Sequence, residues 1–176
     1  MNIVLTGFMG TGKTAVGRSL AGKLGWKFID TDDIIEEKQK MKIADIFKKH
    51  GEKYFRDVEA GVIAGVSGYD RHVISTGGGV VLREENMSAL ESNGVIINLE
   101  ASPETILFRT GAGKDRPLLN VTDPLSEILT LLKTREPFYG RCSFRINTDK
   151  TTPEQAADTA MDLLKGSLNK INGKHR

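Results

Sequence analysis

The feature that most constrains this chain is the stretch of residues 7–14, GFMGTGKT, which matches the pattern G-x-x-x-x-G-K-[ST] at every position. Glycines in this pattern let successive backbone N–H groups point inward at an anion, and the next helix adds its positive N-terminal end. We expect Lys13 to reach the β- and γ-phosphates of a nucleotide and the Thr14 hydroxyl to ligate Mg²⁺. The alternative is a glycine-rich turn that happens to carry a lysine.

The residues on either side of the motif favour the phosphate-binding interpretation. A phosphate loop needs a buried strand before it and a helix after it. Residues 3–6 form a short, mostly apolar run, and apolar residues within 14–24 recur close to helical spacing. The predicted nucleotide-binding residues of the loop are Gly10, Thr11, Gly12, Lys13, Thr14 and Ala15.

Composition restricts the class of protein. The chain has 176 residues, 39% of them hydrophobic and 27% charged, which is typical of one globular domain with a sizeable core. No apolar run approaches the roughly 20 residues of a membrane span, and the first predicted strand begins at residue 2, so we expect no secretory signal. The single cysteine, Cys142, has no partner for an internal disulfide and no nearby histidine, so we expect a packing role and a cytoplasmic location.

The charge pattern does not indicate a protein that binds nucleic acid or membranes. The net charge is +2, and basic residues are interleaved with acidic ones without forming a stripe. We expect one domain over residues 1–166, and a solvated polar tail over 167–176 that can be disordered, rather than a nucleic-acid arm. Nothing in the sequence demands a partner chain, so we expect a monomer.

Strands and helices alternate along the chain, which predicts a parallel sheet covered by helices on both faces. Predicted strands span 2–6, 28–29, 72–75, 94–99 and 144–146, and predicted helices span 12–24, 33–40, 44–49, 54–66, 83–92, 103–109, 123–135 and 153–165. Ligands of such sheets bind beyond the carboxyl ends of the strands. The phosphate loop, residues 30–32 and residues 77–79 all follow predicted strands, so we expect them to meet in one cleft.

Two carboxylates follow the second predicted strand. Asp30 and Asp32 stand two apart, so in an extended segment both side chains face the same side. Phosphoryl transfer needs one carboxylate to hold Mg²⁺ and its waters and another to receive the proton of the acceptor hydroxyl. The alternative is a helix N-cap formed by Asp32 or Thr31, but a cap explains only one of these polar residues.

Two further features have both a functional and a structural interpretation. Arg56 and Glu59 stand three apart on a predicted helix, close enough to form an ion pair. On the surface such a pair contributes little to stability. Alternatively, Glu59 holds the arginine in an orientation in which it can bind an anion. The residues alone leave both interpretations open. The consecutive glycines Gly77, Gly78 and Gly79 predict close approach of the backbone to a ligand, with a plain tight turn as the alternative.

Taken in order, these motifs resemble those of the shikimate kinase family. The set comprises the phosphate loop, FIDTD at 28–32, FRxxE at 55–59, the triple glycine, RPLL at 116–119 and RxxxY at 135–139. Many NTPases share the loop, but the ordered set is specific and covers residues 2 to about 164. The resemblance implies a three-layer α/β P-loop kinase fold, with substrate-binding helices over about 32–60 and a flexible lid over about 111–122.

The resemblance also implies an activity. Shikimate kinases transfer the γ-phosphoryl group of ATP, with Mg²⁺, to the 3-hydroxyl of shikimate in aromatic amino-acid biosynthesis. In this chain, Asp32 matches the carboxylate at the acceptor hydroxyl, and Asp30 matches the residue that holds metal waters beside Thr14. Arg56 and Arg135 match the pair that grips the shikimate carboxylate.

Other matches concern residues that support these groups. Glu59 is expected to orient Arg56, and the triple glycine is expected to offer backbone contact to the substrate. Arg116 matches a catalytic lid arginine that reaches the ATP phosphates. Arg109, Thr152 and Pro153 match the adenine-side contacts, although Thr151-Thr152 departs from the basic pair that some relatives carry.

Two other classes of function are compatible with the phosphate loop alone. One is a P-loop kinase for another small acid or nucleotide, such as gluconate or a nucleoside monophosphate, and the other is a GTPase-like switch. The carboxylate pair, Arg56 and the triple glycine argue against the first class. The lack of an N-K-x-D guanine motif argues against the second.

Overall fold

The structure is a computed structural model that describes residues 1–111 and 117–172, with backbone only for Pro117 and residues 166–172. Arg116, predicted to be the working residue of a lid, lies outside the described residues. Within the described part, none of the helices combines the length and apolar character that crossing a bilayer requires.

The centre of the fold is a parallel sheet of five strands in the order β2-β3-β1-β4-β5. The strands are Asn2–Thr6 (β1), Lys27–Asp30 (β2), His72–Ser75 (β3), Gly94–Glu100 (β4) and Phe144–Asn147 (β5). The central strand β1 pairs with β3 on one side and β4 on the other, and all of its residues are buried. The parallel sheet predicted from the alternation of elements is therefore confirmed.

Helices cover both faces of this sheet and make the fold three-layered. They are Lys13–Leu24 (α1), Thr31–Gln39 (α2), Ile43–Ser67 (α3), Glu84–Glu91 (α4), Pro103–Thr110 (α5), Pro124–Tyr139 (α6) and Pro153–Asn172 (α7). Side chains alternate along β1, so Ile3 and Leu5 join a core with α1 and α7, whereas Val4 joins a core with helices α2 to α6. The phosphate loop lies at the carboxyl end of the sheet because it directly follows β1.

One predicted geometry is wrong. Asp30 and Asp32 do not share an extended segment, because β2 ends at Asp30 and α2 begins at Thr31. The side chain of Asp30 accepts a hydrogen bond from the backbone N–H of Asp32, and this N-cap ends the strand. The capping alternative was correct in kind, but the capping residue is Asp30 rather than Asp32 or Thr31.

Several predicted boundaries also shift. The break between predicted helices 44–49 and 54–66 is confirmed at Gly51, whose non-helical dihedrals of φ 82° and ψ 171° kink the continuous helix α3. Helix α6 continues to Tyr139, beyond the predicted end at 135, even though Pro137 cannot donate a backbone hydrogen bond. Burial of Tyr139 and its bond to Gly78 fix this last turn. Helix α7 runs to Asn172, past its predicted end at 165.

Cys142 has the packing role that its isolation in the sequence predicted. The residue is half-buried against the core, and its Sγ lies 3.3 Å from the Thr6 hydroxyl oxygen. Burial raises the pKa of the Cys142 thiol, which disfavours the nucleophilic thiolate.

Candidate active site

A cavity of about 900 Å³ lies at the carboxyl ends of the strands, where ligands of parallel sheets bind. Its walls include the phosphate loop, the start of α2, the triple glycine after β3, and part of α3. The three segments predicted to meet in one cleft therefore do so. The predicted site residues that line it are Gly10, Gly12, Lys13, Thr14, Ala15, Asp30, Asp32, Arg56, Glu59, Gly77, Gly78, Gly79, Arg109 and Arg135.

Glycines shape the phosphate loop through backbone dihedrals and close approach. Gly7, Gly10 and Gly12 have φ values of 134°, 80° and 92°, a region that side chains rarely tolerate. A Cβ at Gly7 would also lie 2.2 Å from the carbonyl oxygen of Leu99. Gly12 precedes α1 without a side-chain cap, so an anion can satisfy the N–H groups of the first helical turn.

The side chain of Lys13 folds back over the phosphate loop. It donates hydrogen bonds to the carbonyl oxygens of Gly7 at 2.7 Å and Phe8 at 2.9 Å. The side chain is buried but lines the cavity. These bonds hold a positive charge at the loop, and phosphate oxygens can compete for the same ammonium protons.

Thr14 and Asp30 bring a hydroxyl and a carboxylate together at the loop. The Thr14 hydroxyl donates to Oδ2 of Asp30 at 2.8 Å, while Oδ1 of Asp30 caps α2. Because the proton of Thr14 points at Asp30, the lone pairs of its oxygen remain available to a cation. Within the described ranges 1–111 and 117–172, no cluster of three or more His, Cys, Asp or Glu residues forms a complete metal site.

The triple glycine makes room for functional side chains. A Cβ at Gly77 would lie 2.8 Å from Oε1 of Glu59 and 3.0 Å from Oδ1 of Asp32. A Cβ at Gly79 would lie 2.4 Å from both terminal nitrogens of Arg56. All three glycines lack left-handed φ values, so close approach rather than turn geometry requires them. The backbone at these glycines closely approaches the charged side chains of Glu59, Asp32 and Arg56, in addition to any bound ligand.

Burial excludes the surface interpretation of the Arg56–Glu59 pair. Nη1 of Arg56 donates to Oε2 of Glu59 at 2.8 Å, and the two residues are 8% and 0% exposed. Nη2 of Arg56 also donates to Glu52 at 3.1 Å. The pair is therefore a buried one, in which removal of Arg56 leaves the Glu59 carboxylate without its charged partner, whereas removal of Glu59 leaves Arg56 only the more exposed Glu52.

The electrostatics of the pair are set by burial and by mutual attraction. Burial raises the pKa of Glu59 and outweighs the opposing effect of Arg56. Burial also works against the charge of Arg56, but Glu59 and Glu52 more than compensate and raise its pKa. Oε1 of Glu59 has no hydrogen-bond partner among the described residues and lies beside Gly77. This oxygen is available to a ligand donor.

A second buried arginine reaches the triple glycine from α6. Nη1 of Arg135 donates to the carbonyl oxygen of Gly78 at 3.4 Å, and its guanidinium lies 5.4 Å from the ring centre of Phe8. The hydroxyl of Tyr139 donates to the same carbonyl at 2.6 Å. The sequence motif contains Tyr139, but its pattern alone does not indicate this contact.

The predicted adenine-side residues are not all at the cavity. Arg109 lines it and donates to Gly10 O at 3.3 Å and to Thr148 O at 2.6 Å, which ties the phosphate loop to the segment after β5. Thr152 instead forms a capping box with Gln155 at the start of α7. Neither Thr152 nor Pro153 is among the residues that line the cavity. Thr11, a residue of the phosphate loop, does not line the cavity either, and its hydroxyl donates to the carbonyl oxygen of Phe8.

Sequence reasoning missed several residues of the cavity wall. They are Met9, Arg18, Asp33, Glu36, Lys42, Ile43, Ala44, Phe47, Phe55, Ser75, Thr76 and Leu118. Most lie within the region 32–60 that was expected to bind substrate, but single positions there carry no pattern that separates a cavity wall from a solvated helix face. The aromatic contact of Phe47 with Phe55, with ring centres 4.8 Å apart, depends on the kink at Gly51.

Comparison with known proteins identifies the family. A family model described as shikimate kinase matches residues 9–165. A shikimate kinase of Caldanaerobacter subterraneus subsp. tengcongensis is 51% identical over 93% of this chain and 96% of the relative. One from Caldicellulosiruptor saccharolyticus is 52% identical over 92% of this chain and 94% of the relative.

A solved structure gives the same result for the fold. The shikimate kinase of Acinetobacter baumannii in complex with shikimate superimposes with a TM-score of 0.92 at 37% identity, covering 94% of this chain and 93% of that one. The family model, the relatives and the fold agree over almost the whole length. The chain belongs to the shikimate kinase family.

Proposed function

We propose that this chain transfers the γ-phosphoryl group of ATP to the 3-hydroxyl of shikimate, giving shikimate 3-phosphate and ADP. One observation carries the assignment of the site. Two buried arginines, Arg56 and Arg135, meet at the adjacent glycines 78 and 79 in the same cavity as the phosphate loop. On this proposal, the phosphate donor site and the carboxylate acceptor site share one cavity.

The arginines suit the carboxylate of the acceptor. A guanidinium presents its N–H donors in a planar fork that matches the two oxygens of a carboxylate. Arg56 is held by Glu59 and Glu52, so little side-chain entropy is lost when it binds an anion. Arg135 approaches from α6, on the other side of the triple glycine.

Asp32 is proposed to receive the proton of the acceptor hydroxyl. Its carboxylate lies beside Gly77 in the first turn of α2, close to Glu59 and hence to the arginine end of the cavity. As the acceptor oxygen bonds to the γ-phosphorus, the bond from that phosphorus to the β–γ bridging oxygen breaks and ADP leaves. The acceptor proton passes to Asp32, and Glu59 keeps Arg56 oriented throughout.

The residues present fit a partial shell for Mg²⁺. A hydroxyl and a carboxylate, from Thr14 and Asp30, are the oxygen ligands that this ion prefers, and Mg²⁺ usually keeps several waters and binds substrate phosphates. When bound, the ion supplies positive charge at the β- and γ-phosphate oxygens. Thr14 would hold it directly, and Asp30 would hold its waters while retaining the cap of α2.

Lys13 and the loop backbone are proposed to bind the phosphates. The ammonium of Lys13 would exchange the carbonyls of Gly7 and Phe8 for phosphate oxygens, and the N–H groups of residues 10–15 would complete the cradle. Arg109 is a candidate for the nucleoside side, because its guanidinium already lies on the loop at Gly10. Closure of a lid carrying Arg116 stays a prediction, as do the monomeric state and the cytoplasmic location.

An ADP-release assay with a panel of acceptors tests the proposal. We expect turnover with shikimate and background rates with gluconate and nucleoside monophosphates. Arg56→Lys and Arg135→Lys, which keep the charge but lose the fork, should each raise the KM for shikimate about 10- to 100-fold and leave the KM for ATP nearly unchanged. Comparable turnover with gluconate, or unchanged shikimate KM in both variants, would contradict the proposed acceptor site.

A further inference from the structure

Tyr139 has no part in the proposed chemistry, yet it contacts the acceptor end of the cavity. It lies four residues after Arg135 on α6, so the two side chains share one face of the helix. Both donate hydrogen bonds to the same acceptor, the carbonyl oxygen of Gly78. The two donors therefore converge on the middle residue of the triple glycine.

The two bonds differ in strength. The Tyr139 bond has an oxygen–oxygen distance of 2.6 Å, at the short end of the usual range, and the tyrosine is 3% exposed. The Arg135 bond is 3.4 Å long, near the limit at which a contact still counts as a hydrogen bond. Tyr139, rather than Arg135, therefore sets the direction of the Gly78 carbonyl.

Packing and a directional bond together fix the Tyr139 ring. The residue is buried in the same core as Phe8, and it borders a second cavity of about 400 Å³ together with Phe8 and Leu132. The hydroxyl bond to Gly78 adds a directional restraint to the position that burial gives the ring.

The Gly78 peptide lies next to both the phosphate loop and Arg135. A Cβ on Gly78 would lie 3.2 Å from the backbone nitrogen of Met9 in the phosphate loop, so the two backbones are nearly in contact. On its other side the carbonyl holds Arg135, whose guanidinium also faces the ring of Phe8. A shift of this peptide would move Arg135 relative to the acceptor.

We propose that Tyr139 is a positioning residue for the acceptor: by fixing the Gly78 carbonyl it sets where Arg135 presents its guanidinium to the acceptor carboxylate. This inference rests on the proposed function, since it assumes that Arg135 binds that carboxylate. Burial, opposed in part by Arg135, raises the pKa of Tyr139 to about 12, so its hydroxyl remains a donor throughout the pH range of an assay.

The test is Tyr139→Phe, which removes one hydroxyl and keeps the ring. We expect the KM for shikimate to rise about three- to tenfold, the effect of one neutral hydrogen bond, with the KM for ATP and kcat changed less than about twofold. Tyr69→Phe is the matched control, because Tyr69 is exposed and lies away from the cavity. It should leave both KM values unchanged.

A second readout isolates the carboxylate. The preference of the enzyme for shikimate over its analogue with the carboxylate reduced to an alcohol is a ratio of affinities, so partial unfolding of a variant does not change it. Tyr139→Phe should lower this ratio, and the effects of Tyr139→Phe and Arg135→Lys should combine less than additively because they act on one contact. An unchanged ratio, or full additivity, would overturn the positioning role.

These experiments separate the two proposals. If Arg135→Lys weakens shikimate binding and Tyr139→Phe does not, only the role of Tyr139 is wrong. If neither variant affects shikimate, the carboxylate site itself is wrong and the role of Tyr139 falls with it. Equal weakening of shikimate and ATP by Tyr139→Phe would indicate a general structural role and would also reject positioning.

Discussion

The strongest test of the site geometry is the addition of one methyl group, Gly79→Ala. The backbone of Gly79 has φ −101°, which alanine adopts without strain, so the substitution acts only through its Cβ. That atom would lie 2.4 Å from both terminal nitrogens of Arg56, whereas ordinary contact begins at 3.4 Å. The guanidinium must therefore retreat by about 1 Å.

The size of the effect follows from the bonds that this retreat breaks. Arg56 is held on Glu59 by a 2.8 Å bond, and a displacement of about 1 Å takes that bond beyond hydrogen-bonding distance. Loss of a hydrogen bond to a charged group is worth about 1.5–3 kcal/mol, or roughly 10- to 150-fold in an equilibrium constant. We expect the KM for shikimate to rise within that range.

Steady-state kinetics with each substrate varied in turn provide the assay, and a thermal melt accompanies them. The KM for ATP should stay within about twofold, because the phosphate loop is not displaced. Gly65→Ala is the matched control, since a Cβ there meets nothing within 4 Å and alanine favours the helix interior of α3 by about 0.5–1 kcal/mol. An unchanged shikimate KM in Gly79→Ala, with a normal melt, would refute the clamp.

Three further outcomes are expected. Lys13→Ala should reduce kcat more than tenfold, because the lysine stabilises charge on the transferring phosphoryl group. The circular dichroism spectrum should stay unchanged, because the side chain buries little apolar area. Retention of more than about a tenth of kcat would contradict the loop assignment. Asp32→Asn should lower kcat by about 10²–10⁴ with little change in ATP affinity, whereas wild-type turnover would leave Asp32 only a structural role. The pKa of Glu59 is raised, so as the pH falls this carboxylate gains its proton at a higher pH than an ordinary glutamate does. Arg56 then loses the charge of its buried partner Glu59, and the shikimate KM should rise. Glu59→Gln should have a raised KM at neutral pH without that extra pH dependence, and identical pH profiles would show that Glu59 does not act through its charge.

The local sequence was sufficient for the features that depend on local chemistry. Residues 7–14 predict a phosphate loop because only glycine tolerates the dihedrals that turn N–H groups inward, and the structure has left-handed φ values at three of its glycines. The alternation of elements predicts the parallel sheet, and the gap between predicted helices 44–49 and 54–66 contains the kink at Gly51. These properties are encoded within a few neighbouring residues.

The tertiary structure alone decided which polar residues share a buried site. Arg56 and Glu59 have the spacing of a surface pair, and only packing against the sheet and the triple glycine shows that both are buried. From the sequence, Asp30 could either extend a strand or cap a helix. In the structure its two carboxylate oxygens accept hydrogen bonds from the Thr14 hydroxyl and the backbone N–H of Asp32, so it caps the helix. Burial and hydrogen-bond partners depend on distant parts of the chain, and a linear pattern does not record them.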